Sequence, residues 1–194
     1  SLDHVSGGRA VLGACIGGGH EPELRAFGQT SRERAPRLEE GIALLRALWS
    51  DGKVHPRGRF YTLEDYDILP KPVQRPHPPL WVAAFGPKAL AQAGTLGLPY
   101  LSSPMESLGT LVGNYDVHVA AAQAAGHQRS STVPLMRTIF VGEDPAQVAN
   151  LRQRMQAEYE NTRLLPGETL DDWALIGDPE FVREGVARYR ERLG

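Results

Sequence analysis

Ala10-Val11-Leu12-Gly13-Ala14-Cys15-Ile16 is an apolar run that ends in Gly17-Gly18-Gly19, and this junction decides how the chain is read. The run predicts a buried strand over 10–16, and glycines at its carboxyl end let backbone approach a ligand closely. In parallel α/β proteins ligands sit at the carboxyl ends of strands, so the stretch from Gly17 to His20 is the first place to look for a site. Ahead of it, Leu2-Asp3-His4-Val5-Ser6-Gly7-Gly8-Arg9 reads as a polar turn carrying a permanent cation. A chain that enters a core strand this soon implies a further segment ahead of Ser1.

Downstream, Leu38, Ile42, Leu45 and Trp49 share one stripe of a predicted helix over 37–49, with Pro36 in its first turn and Asp51-Gly52 as its stop. Residues 53–79 are rich in proline and read as an ordered loop or small hairpin, with Arg59-Phe60-Tyr61 as its extended piece. Leu80-Trp81-Val82-Ala83-Ala84 is a second buried strand. Gly86-Pro87 then opens a helix that ends near Gly97, and Leu98 to Leu101 is a third strand.

A mostly apolar helix covers 106–125, and Val133 to Val141 is the fourth strand. Asp144-Pro145 caps a helix running to Tyr159. Residues 160–177 read as a loop holding Trp173, and Asp178-Pro179 caps a last helix over 179–193. Strands alternating with helices at this spacing predict a parallel sheet of βαβ units in one domain, 1–194. Four strands are too few to close an eightfold barrel. The chain is therefore a small open sheet, or part of a barrel whose first strands and last strand lie outside it.

Composition narrows the function classes. With 194 residues and a net charge of −2, the chain has length for a core and no basic stripe that would attract nucleic acid. No apolar run approaches the roughly 20 residues that span a bilayer, so no membrane role is expected. The single cysteine excludes an intramolecular disulfide and suits the cytoplasm; its place within the apolar run predicts a buried, inert thiol. The histidines are scattered and no cysteines are paired. Asp116 and His118, two apart on a helix, do not share a face, so no metal site is expected.

Two stretches could carry chemistry. Ala84-Phe85-Gly86-Pro87-Lys88-Ala89 joins a strand to a helix whose amino-terminal N–H groups and dipole suit a phosphate. Gly86 permits close approach and Lys88 adds charge, although the same residues also simply start a helix, as Arg9 simply caps a turn. Gly17-Gly18-Gly19-His20 lacks the spacing of a dinucleotide fingerprint and on geometry alone reads first as a flexible strand-to-loop turn. His20 is the one catalytic candidate, an acid, base or hydrogen-bond donor near neutral pH. Glu23, Arg34, Arg37 and Glu40 read as a paired structural network, Phe27 as a plug for their loop, and Trp49, Trp81 and Trp173 as core aromatics. Ser102 and Ser103, at the third strand's exit, are placed to face a pocket.

Taken in order, these pieces resemble the bacterial luciferase-like monooxygenase superfamily. The residues that carry the resemblance are Leu2-Asp3 with Ser6-Gly7-Gly8-Arg9, Gly13, Gly17, Glu23 and Ala26-Phe27-Gly28. It continues in Arg34, Arg37 and Glu40 leading to Leu48-Trp49, in Leu69-Pro70-Lys71-Pro72-Val73-Gln74-Arg75-Pro76, in Pro78-Pro79-Leu80-Trp81-Val82, and in Ile176-Gly177-Asp178-Pro179-Glu180-Phe181-Val182.

The resemblance implies a (β/α)8 TIM-barrel type, incomplete here, with FMN or the deazaflavin F420 as cofactor. It implies cofactor contacts at Arg9, Gly17, Phe85, Gly86, Lys88 and Ala89, the phosphate lying at the Gly86 turn with help from Arg9 and the ring passing near Gly17. The implied activity is oxygenation of a small organic substrate by reduced flavin and O2, with a flavin reductase and a second copy of the chain as partners. Hydride transfer with F420, or a non-catalytic remnant that binds flavin or forms a dimer, are the alternatives.

Overall fold

The computed structural model describes residues 1–18, 20–161 and 167–194. They form two compact units, Ser1–Ala84 and Phe85–Gly194.

In the first unit a single-turn helix α1 (Leu2–Val5) precedes strand β1 (Leu12–Ala14). Gly7 and Gly8, both with positive φ, make the sharp turn between them. Asp3 is buried, and its carboxylate accepts the Gln74 backbone N–H at 2.9 Å and the Gln74 Nε2 at 2.7 Å. The same Nε2 donates to the Ala10 carbonyl at 2.7 Å, so one amide ties α1, the approach to β1 and the proline-rich segment together.

Next come α2 (Glu21–Ala26) and α3 (Arg34–Trp49), the latter burying Ile42 from the predicted stripe. A small antiparallel hairpin, bridged at Val54–Tyr66 and Arg57–Thr62, folds back on α3. Its tip is Arg59-Phe60-Tyr61, whose N–H groups all donate to the Glu40 carboxylate at 3.1, 2.8 and 2.7 Å. This corrects the expected extended piece: the carboxylate gathers three consecutive amides, and that requires a turn. Strand β2 (Leu80–Ala83) pairs parallel to β1, with Leu12 opposite Leu80 and Ala14 opposite Val82.

The second unit begins with α4 (Pro87–Thr95), which leads through a short turn into strand β3 (Tyr100–Leu101) and then α5 (Leu108–Ala124). Gly94 lets α4 and α5 touch at backbone level, since a Cβ there would overlap the His118 carbonyl and the Ala122 nitrogen. His118 is buried and its Nε2 meets the Leu98 carbonyl at 2.8 Å, which gives this histidine a structural place. Strand β4 (Thr138–Val141), helix α6 (Pro145–Glu160), strand β5 (Ala174–Gly177) and helix α7 (Pro179–Leu193) complete the unit. Asp144 and Asp178 cap α6 and α7 as expected, accepting N–H groups of Ala146 and Phe181.

Strand β5 corrects the reading of 160–177 as a loop. Its four residues are all buried and pair parallel to β4 from Thr138–Ala174 to Val141–Gly177. Tyr159, Leu170, Trp173, Ala174 and Ile176 form a core cluster with Phe140, Val148, Leu151 and Met155 packed on it. Part of the predicted loop, residues 162–166, lies outside the described residues.

Two further expectations fail for geometric reasons. Pairing of β1 stops at Ala14, and strand alternation puts Val11, Gly13 and Cys15 on its open face, so the Cys15 thiol is exposed. Phe27 follows a helix of six residues that buries only Leu24; at 78% exposure it plugs nothing.

Candidate functional site

Helix α4 begins as the sequence predicts. Gly86 is its N-cap with φ of +78°, Pro87 is its first residue, and no side chain caps its free amides. In α5, α6 and α7 a Ser107, Asp144 or Asp178 oxygen does that work. The first turn of α4 carries no acid, and Lys88 is exposed there. A Cβ built at Gly86 would meet nothing within 4 Å, so the ground in front of the turn is open. Uncapped N–H groups, helix dipole, a lysine and free space together fit the phosphate of a nucleotide-type cofactor. Phe85 is 69% exposed beside them and Ala89 is half-buried.

In the first unit, Gly17 has φ of +75° and open space around it, and its carbonyl accepts Arg34 Nη1 at 3.0 Å. Gly19 lies outside the described residues. A cleft of about 240 Å³ opens beside this turn, lined by Cys15, Ile16, Arg34, Arg37, Tyr61 and the α3 face. Arg37 lies 4.3 Å over the Phe60 ring, so Arg34, Arg37 and Glu40 act in holding the loop and hairpin. Arg9 is exposed, and its Nε donates to the Ser6 carbonyl at 2.7 Å; its guanidinium thus closes the turn after α1. His20 is also exposed, at the N-cap of α2, with Nδ1 3.8 Å from Glu23.

Ser102 and Ser103 are buried rather than facing an open pocket. Ser102 Oγ accepts the Met136 N–H at 3.2 Å, and Ser103 Oγ accepts that of Met105 at 3.1 Å. Their neighbour Glu106, which sequence reasoning missed, is buried and accepts from Tyr100 Oη at 2.5 Å, Asn114 Nδ2 at 2.6 Å and the Ser103 N–H at 2.6 Å. Burial, reinforced by the Glu106 carboxylate, pushes the Tyr100 and Tyr115 hydroxyls well above the ordinary phenol range. An acid three residues beyond a strand-end serine was the available signal.

Among the described residues, no group of three or more His, Cys, Asp or Glu side chains converges on a common point. No helix is long and apolar enough to cross a membrane.

All of the chain, residues 1–194, matches the luciferase-like monooxygenase family. The chain belongs to that family. An F420-dependent glucose-6-phosphate dehydrogenase of Kineococcus radiotolerans is 32% identical over 97% of this chain and 61% of its own length. An FMNH2-dependent dimethylsulfone monooxygenase of Pseudomonas putida is 31% identical over 66% of this chain and 35% of its own. Among solved structures, a monooxygenase from Streptomyces bottropensis superposes with a TM-score of 0.75 at 24% identity, covering 100% of this chain and 61% of that one. The chain thus spans less than two thirds of the length of each, and its fold is of the luciferase-like TIM-barrel type that they share.

Proposed function

We propose that this chain forms part of a flavin-dependent monooxygenase, a single luciferase-like barrel domain that binds FMN and oxygenates a small organic substrate with reduced flavin and O2. The observation that carries the reading is the glycine-opened, uncapped amino terminus of α4 in a chain matched end to end by this family. The α4 amides and the Lys88 ammonium hold the phosphate, and Gly86, with no side chain, lets backbone approach it closely. Phe85 packs against the cofactor at the same turn, and Ala89 offers its N–H beside that of Lys88, Pro87 having none to give. Arg9 and Gly17 in the first unit carry the same assignment, each on the family resemblance. Bound flavin supplies the reducing electrons and the site at which dioxygen is activated. The protein's part is anchorage, ring orientation and exclusion of water, with His20 as the candidate group for moving a proton. A flavin reductase partner, a homodimer and a cytoplasmic location complete the reading.

Titration with FMN and with riboflavin tests it. FMN is expected to bind at least about tenfold more tightly, an advantage of about 1.4 kcal/mol that Lys88→Ala and Gly86→Val reduce. Equal affinity for both, or no binding, ends the proposal. Oxygen uptake with a flavin reductase and a substrate panel then measures turnover.

A second reading is favoured by the F420-dependent relative that aligns over 97% of the chain. In that case F420 replaces FMN at the same turn and accepts hydride without oxygen. Preferential binding of F420, with no oxygen uptake, selects it.

A further inference from the structure

Asp3 is a buried acid that no cation answers. The residue is 6% exposed, and its carboxylate accepts the Gln74 backbone N–H at 2.9 Å and the Gln74 Nε2 at 2.7 Å. Backbone N–H groups of Val73 and Ala10 join the set that holds its carboxyl below the ordinary value, so it is ionised at neutral pH. All of these donors are neutral. Among the described residues no lysine, arginine or histidine forms an ion pair with it. A buried carboxylate left without a counter-charge is costly.

Asp3 also lines a cavity of about 400 Å³ in the first unit, and among the described residues it is the one ionisable side chain there. That volume is within the range of small-molecule sites. Leu12, Trp49, Ile68, Pro72 and Pro78 supply apolar walls. Pro72 and Pro78 are buried, and Trp49, the last residue of α3, is braced by the His77 ring at 5.8 Å. The walls are thus fixed in advance, which lowers the cost of binding. Leu12 opens β1 and Pro78 lies just ahead of β2, so the cavity sits at the amino ends of these parallel strands. Gly17 lies past the opposite end of β1, and barrels of this type take their ligands at the carboxyl ends.

We propose that this cavity is a second binding site, separate from the flavin's, for a small apolar amine. The ligand's body lies against Trp49, Leu12 and Ile68, and its ammonium lies toward Asp3. A neutral hydrocarbon or a lipid tail would leave the acid unanswered, whereas an ammonium supplies the missing charge. The inference stands independently of the flavin-binding reading.

The test titrates the full chain by calorimetry with three probes of one shape: tryptamine, its alcohol tryptophol and the anion indole-3-acetate. Tryptamine is expected to bind with a Kd below about 1 mM, at least about tenfold more tightly than tryptophol, with the anion weaker still. Asp3→Asn keeps an acceptor for Gln74 and is expected to bring tryptamine down to the affinity of tryptophol. Leu69→Lys changes a lining residue that is 73% exposed, so the fold is kept while a like charge enters the mouth. It is expected to weaken tryptamine at least about fivefold and leave tryptophol unchanged. Saturating FMN should not alter tryptamine affinity.

Equal affinity for tryptamine and tryptophol overturns the proposal, as does no binding of tryptamine. A preference for the amine that survives both variants places it elsewhere and overturns it too. So does competition with FMN, which would put the amine at the flavin turn. A chain that dimerises, binds no amine and becomes monomeric on Leu69→Lys gives the cavity to a second copy instead.

Discussion

Glu106 and Arg137 meet at Ser103 without meeting each other: one takes its N–H, the other gives to its carbonyl. Carboxylate and guanidinium therefore hold the two peptide groups that flank Ser103, one each, and do not form an ion pair. The energetic weight lies on the donors that each would leave behind. Glu106→Ala strands the Tyr100 hydroxyl, the Asn114 amide and the Ser103 N–H in a buried site. We expect a loss of about 3–5 kcal/mol by urea unfolding, against about 1–3 kcal/mol for Glu106→Gln. Equal, small losses would show that water satisfies the stranded groups.

The tyrosines give a pH prediction of definite sign. Burial raises the hydroxyls of Tyr100, Tyr115 and Tyr189 above their ordinary value of 10.0. A raised folded pKa contributes stability that is complete below the unfolded value and lost as pH rises toward the folded one. The protein should lose stability above about pH 10, with three of its six tyrosines ionising only as it unfolds. Ultraviolet absorbance of the phenolates, read beside far-ultraviolet circular dichroism, checks this. Six tyrosines ionising before any unfolding would contradict it.

Asp3 supplies the acid counterpart. The Gln74 backbone N–H leads a set of hydrogen bonds that hold its carboxyl below the ordinary 3.8. That stability is present above the ordinary value and is lost as pH falls through the lower folded one. Asp3→Asn should flatten the acid limb of melting temperature against pH. An unchanged acid limb would assign the acid sensitivity to other carboxylates.

Cys15, exposed at the end of β1, should react with one equivalent of a thiol-specific chromogenic reagent under native conditions. A thiol silent until denaturant is added would return it to the core. Reaction that also lowers FMN affinity would place the adjoining Gly17 turn near the cofactor.

What the sequence determined by itself was local. Pro and Asp at helix starts, glycine at helix ends and the 3.6-residue stripe through Ile42 act within a few residues of their own position, so α3, α4, α6 and α7 were legible in advance. The Gly86 turn that we propose for the phosphate belongs with them, because Gly86, Pro87 and Lys88 are consecutive. Even β5 had a local sign: an apolar run ending in Gly177-Asp178-Pro179, as β4 ends before Asp144-Pro145.

Tertiary structure decided what depends on partners far along the chain. How far β1 is held in the sheet depends on pairing with β2, some 70 residues away; the ladder ends at Ala14, and Cys15 beyond it is exposed against the expectation of burial. Glu40 became the anchor of a hairpin tip 19 to 21 residues downstream. Glu106 and Arg137 acquired a joint role only when folding brought Ser103 between them across 34 residues. Hydrogen bonds of that kind leave no period in a sequence, because what selects them is the cost of burying a polar group alone.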